Sequence, residues 1–138
     1  MNPAAKTSEF IRTCLEKLRS LYRTIESVTA GLGSDPGDDL LDRTLTERAR
    51  LLAEADRRMA QLDNNDASWR RTLVADNILS GIMSDIERSI RCTAAYDARL
   101  VAVIARRMDA IETELVRINM SSNAMRGYAL QNVLSRIA

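Results

Sequence analysis

The chain has 138 residues, 46% of them hydrophobic but only 4% aromatic, and its 20 basic and 19 acidic side chains nearly cancel to a net charge of +1. That length sets one domain, and the interspersed charges form no basic stripe of the kind a nucleic-acid binder carries. Histidine is absent, which removes His-activated nucleophiles, most zinc sites and the Glu-x-x-His di-iron pattern.

The N-terminal residues MNPAAKTSEF hold no apolar signal region, and no stretch approaches the roughly 18 apolar residues of a membrane span, so the cytoplasm is the expected location. Helix 1 is expected to begin at Asn2-Pro3 or to become ordered at Ser8, and to carry an apolar face from Ile11 to Val28. Gly31 and Gly33 end it. Gly31, Gly33, Pro36 and Gly37 fall together, so the chain is interrupted once, hard, by GLGSDP. Such a composition favours long helices around an aliphatic core. Asp35-Pro36 reads as the cap and first turn of helix 2, followed by Asp38, Asp39 and Asp42 where the helix dipole favours negative charge. The face of helix 2 is Leu41, Leu45, Leu52, Ala55, Met59 and Leu62, with Leu40 and Leu51 beside it. Arg48 interrupts the face and is expected at its edge, with its head in water.

Asp63-Asn64-Asn65-Asp66 is a short polar turn, so helices 2 and 3 are expected to be antiparallel neighbours, with Asp66 as a cap and Trp69 closing the corner. Helix 3 then runs from near Trp69 to about Ile118. At about 1.5 Å per residue, some 50 residues span roughly 75 Å, about twice the reach of either earlier stripe. Asp76 and Asp97 fall at its seam edge. The segment TAAYDA, residues 93–98, decides the architecture. A break there gives an up-down four-helix bundle; with no Gly or Pro in it, a continuous helix is preferred. Ser121-Ser122-Asn123 reads as an exit or weak joint. The chain thus divides into a helical bundle domain, 1–120, and a C-terminal tail, 121–138, that is mobile or a short helix. The expected fold is all-α: an elongated antiparallel three-helix coiled-coil-like bundle with a very long third helix.

Little chemistry is available. Cys14 and Cys92 sit in apolar-periodic segments and read as buried reduced thiols. Gly31-Leu32-Gly33 is too short for a phosphate loop and lacks the following Lys-Ser/Thr. Glu112 and Glu114 face different sides of a helix, so they are not a catalytic pair. A small helical enzyme built on inward Arg and Glu side chains is disfavoured because Arg falls mostly outside the apolar seams. No enzyme, metal or cofactor is expected.

What remains is surplus apolar surface. Leu100, Ile104, Met108, Ile111, Leu115 and Ile118 are spaced as anchors for an amphipathic segment of another protein. Met83, Met108, Met120 and Met125 suit an adaptable surface. The competing readings are the fourth helix of a closed bundle and a homodimer seam. Tyr128 is either an aromatic tacked onto the bundle or an anchor on the tail.

The parts come in a distinctive order. A first helix leads to a small-residue acidic loop, then to a Leu-rich helix with Glu-Arg-x-Arg-Leu-Leu at Glu47 to Leu52. A short turn, a long helix and a tail with Met125-Arg126-Gly127-Tyr128 follow. In this layout the chain resembles the flagellar type III export chaperones of the FlgN/FliT kind. The resemblance implies a cytosolic helical protein that binds the C-terminal segment of a flagellar axial protein, a hook-filament junction or cap subunit, prevents its premature assembly and delivers it to the export gate. It implies a substrate surface on the later helices, and it makes Tyr128 the candidate for docking to the export-gate protein. Where the family carries Leu-Asn-x-x-Asn-x-x-Leu in the long helix, this chain has Ala94, Asp97 and Leu100. The alternative is a structural coiled-coil or homodimeric adaptor without an export role.

Overall fold

A computed structural model describes residues 3–137, with side chains from 6 to 136. Four helices follow one another: α1 Pro3–Ala30, α2 Asp38–Asn65, α3 Trp69–Ala75 and α4 Asn77–Ile137, with no strand among the described residues. Asn2, half of the expected first cap, lies outside them. The chain separates into two compact units, Met1–Arg99 and Leu100–Ala138.

In the first unit, α1, α2, α3 and the start of α4 share one apolar core. Ile11, Leu15 and Leu18 meet Ala55 and Leu62, and Trp69, Leu79, Ile82 and Ile86 complete the cluster. The first half of α1 thus lies against the second half of α2 and the start of α4. That arrangement sets α1 and α2 antiparallel and returns α4 alongside α1. Aliphatic side chains at three- and four-residue steps interdigitate in this way without aromatic bulk.

The turn after α1 closes on backbone bonds, with the Gly31 N–H donating to the Ser27 carbonyl at 3.0 Å and the Leu32 N–H to that of Thr29 at 3.1 Å. Gly33 then takes φ 68°, the left-handed region that costs a Cβ-bearing residue most. Helix α2 starts later than Asp35-Pro36 suggested. Pro36 is buried outside it, Gly37 is the N-cap with φ −67° and ψ 159°, and the first helical bond runs from the Leu41 N–H to the Gly37 carbonyl.

The face of α2 is also rotated from the expected one. Its buried residues are Thr44, Leu51, Ala55 and Leu62, while Leu40, Leu45 and Leu52 are exposed. A seam through Thr44, Arg48, Leu51 and Ala55 keeps alternating four- and three-residue steps, and it includes a polar and a charged position that a reading by hydrophobicity assigns to the edge.

The expected third helix is two helices. Asp76 leaves helical geometry at φ −120° and ψ 114°, and its Oδ1 accepts the backbone N–H groups of Ile78 at 2.9 Å and Leu79 at 3.2 Å. A carboxylate that satisfies the free donors of the next helix competes with continuation of the first. Just upstream, Asp66 does not cap α3. Its Oδ1 accepts the Ser68 N–H at 2.9 Å and hydroxyl at 2.6 Å, bonds that hold its carboxyl below the ordinary range, and Ser68 takes the N-cap position. Trp69 is 2% exposed, and its indole N–H donates to Asp63 at 2.7 Å, tying the α2–α3 corner as its position suggested.

From Asn77, α4 runs through 93–98 without a break, so the four-helix alternative with a turn there is not the structure. It also runs through Ser121-Ser122-Asn123, the expected joint. Ser and Asn cost a helix only a few tenths of a kcal/mol each, too little to end it without a competing cap. No helix among the described residues is long and apolar enough to cross a membrane.

Both cysteines are free; Cys14 is buried and Cys92 half-buried. Burial pushes the Cys14 thiol up, against the lowering pull of Arg58 and Lys17. An aromatic disulfide reagent is therefore expected to titrate Cys92 first in the native protein and Cys14 only on unfolding; equal rates for both would contradict this core. A second outcome tests the rotation of α2. Leu51→Ala should cost about 3 kcal/mol in urea unfolding, as for a buried Leu, and Leu45→Ala less than about 1.

Candidate partner-binding surface

A helix has one apolar stripe to bury, and along α4 the fate of that stripe changes. Up to Ile86 it is core. From Ser89 to Arg99 the buried positions of α4 are polar, Ser89 and Thr93, and Thr29 of α1 and Thr44 of α2 are buried as well. Their hydroxyls need partners inside the bundle. Thr29 donates to the Ile25 carbonyl at 2.6 Å and Thr93 to that of Ser89 at 2.8 Å.

At this polar end Arg48 of α2 grips Asp97 of α4. The two N–H···O bonds measure 2.7 and 2.9 Å, a fork-to-carboxylate geometry that fixes both direction and distance. The Arg48 side chain is only 13% exposed, and its Nε is buried without an acceptor among the described residues. Arg48 is therefore not an edge residue with a free head: its side chain is largely covered and its guanidinium is held by Asp97. The signal for this pair was present, since each helix carries one charge of opposite sign on its own seam.

A second charge cluster joins α1 to α4. Asp85 accepts from Arg88 at 3.1 Å, Arg23 at 3.4 Å and Arg19 at 3.5 Å. An open groove of about 500 Å³ beside it is lined by Arg23, Ser27, Arg88, Ser89 and Cys92, too polar for the usual small-molecule pocket. No group of three His, Cys, Asp or Glu among the described residues could hold a metal ion.

In the second unit the stripe is on the surface. Leu100 is buried and Ile104 half-buried, so the exposed part begins at Met108, 64% exposed, and continues through Ile111, Leu115 and Ile118, at 61%, 55% and 50%. These four share one face by their three- and four-residue steps. Tyr128 is exposed but does not join them: ten residues beyond Ile118, it points about 80° away at about 100° per residue. Ser122, Met125, Ala129 and Val133 prolong the face instead. Glu114 and Arg117 pair on the flank at 2.5 Å, and that hydrogen bond lowers the pKa of Glu114. Four bulky apolar side chains at half or more of full exposure thus form one continuous apolar face rather than scattered surface residues.

Asp97→Ala should lower the unfolding free energy by about 2 kcal/mol by stranding the guanidinium, and adding Arg48→Met should recover about half of that. Additive losses in urea unfolding would show that the pair is not coupled. No family model, curated protein or solved structure matches the chain.

Proposed function

We propose that this chain is a non-enzymatic binding protein: a cytoplasmic export chaperone that receives an amphipathic segment of a client on the apolar face of α4. The observation that carries the reading is the exposed row Met108, Ile111, Leu115 and Ile118, whose spacing is that of helix-in-groove anchors. The resemblance to flagellar export chaperones supplies the client: the C-terminal segment of a hook-filament junction or cap protein, which would be kept from assembling while the complex is delivered to the export gate. Methionines at 108 and 125, both on the row, favour a surface that repacks around related clients. Tyr128, turned away from the row, would remain available to the export-gate protein while a client is bound.

The test is binding of labelled peptides that carry the C-terminal segments of flagellar axial proteins. Ile111→Asp should weaken the best of them by more than about 2 kcal/mol, roughly thirtyfold, while far-ultraviolet circular dichroism keeps most of its helical signal. Loss of the fold in Ile111→Asp would place that residue in a closed core. Binding of no flagellar segment would leave the structural adaptor as the better reading.

A further inference from the structure

The exposed face of the second unit is lopsided in two ways that client binding does not use. From Val101 to Ala129 the seam positions recur at alternating steps of three and four residues. That is a period of 3.5, at which two helices wind around each other. The front of this seam is bulky, with Ile111, Leu115 and Ile118, whereas the back includes the small Ser122 and Ala129. Charge differs too. The front is balanced, with Asp109, Glu112 and Glu114 against Arg106, Arg107 and Arg117, whereas beyond Asn119 the only charged residues are Arg126 and Arg136. Glu114 is engaged by Arg117, but neither Glu112 nor Arg126 has an ion-pair partner among the described residues.

We propose that this face binds a second copy of the chain, running antiparallel about a two-fold axis near residue 120. In that register Ile111 meets Ala129 of the second copy and Ile118 meets Ser122, so the two Ile layers face small residues, while Leu115 meets Met125 and Met108 meets Asn132. Glu112 comes beside Arg126 on the flank, and the symmetry makes every such pair twice. A parallel, in-register pair does the opposite. It sets Ser122 on Ser122 and Ala129 on Ala129, leaving voids, and it holds Glu112 and Arg126 about 21 Å apart along the axis. The antiparallel register ends with Ile104 opposite Arg136, so it draws on the second unit alone. The second copy covers the row assigned to the client, and the two occupants exclude each other; that exclusion rests on the client reading, whereas the pairing does not.

Sedimentation equilibrium of the full chain, up to about 100 µM, should show a reversible monomer–dimer equilibrium. Glu112→Arg and Arg126→Glu should each raise the dissociation constant about tenfold, and the double exchange should bring it back to within about threefold of the unmodified chain. Circular dichroism should be unchanged in all three. A monomer at the highest concentration, or a double variant no tighter than the single ones, would overturn the pairing. A dimer with the expected exchange pattern that no flagellar segment displaces would defeat the client reading and leave the pairing intact. A monomer that binds such a segment would do the reverse.

Discussion

The grip of Arg48 on Asp97 holds α4 helical across the one stretch where a turn would have changed the kind of molecule this is. A turn at 93–98 would have given a fourth helix free to lie against the other three, with its apolar row as core. Instead Thr93 returns its hydroxyl to the Ser89 carbonyl, Arg99 lies over the Tyr96 ring, and Asp97 is clamped from α2. These interactions accompany an unbroken helix through 93–98. The unsatisfied Nε of Arg48 is a cost of this arrangement, since a buried donor without an acceptor loses about 1–3 kcal/mol. An all-apolar layer would avoid that cost but would specify the geometry less tightly.

Beyond that clamp the energetics change character. Each core residue of the first unit, such as Leu15 or Leu62 at 0% exposure, is covered from several helices at once. A lone helix can cover its own stripe only from the side, so Met108 to Ile118 keep most of their apolar area in water. At roughly 25 cal/mol per Å² such a row carries several kcal/mol that only another chain can recover. Most helical stability in proteins comes from tertiary packing of an apolar face and not from propensity. Docking of a partner, as proposed, would both bury the row and steady the helix that presents it.

Much of this was legible in the residues. The single hard interruption at Gly31 to Gly37, the aliphatic periodicity and the lack of a breaker in TAAYDA led to long helices, to the corner at Trp69 and to an unbroken 93–98. Three features were hidden for one reason: apolar spacing says nothing of what a polar side chain will bond. Asp76 ended α3 by capping α4 although the apolar pattern ran straight through it. Asp66 bonded to Ser68 instead of capping α3. Arg48 took a seam position on α2 because Asp97 could satisfy it, Thr44 is buried on the same seam, and Leu45 and Leu52 are turned outward. In the surface row, periodicity identified Ile111, Leu115 and Ile118 but could not tell that Leu100 would be buried, nor that Tyr128 would fall on a different face.

The composition of the row bears on how a client and a second copy would share it. A row built only of large residues would pair with itself tightly and would resist exchange. Ser122 and Ala129 lower the apolar area that a copy of this chain can offer in return for Ile118 and Ile111. A client helix free to set Leu or Ile against those small positions buries more surface in the same footprint. Self-pairing, if it occurs as proposed, would then cover an exposed apolar face against unspecific association and still yield to a better complement. The affinity difference between the two occupants, and not the absolute affinity of either, sets the exchange. On the proposed reading, the small residues that interrupt the row would reserve its best complement for a sequence other than its own.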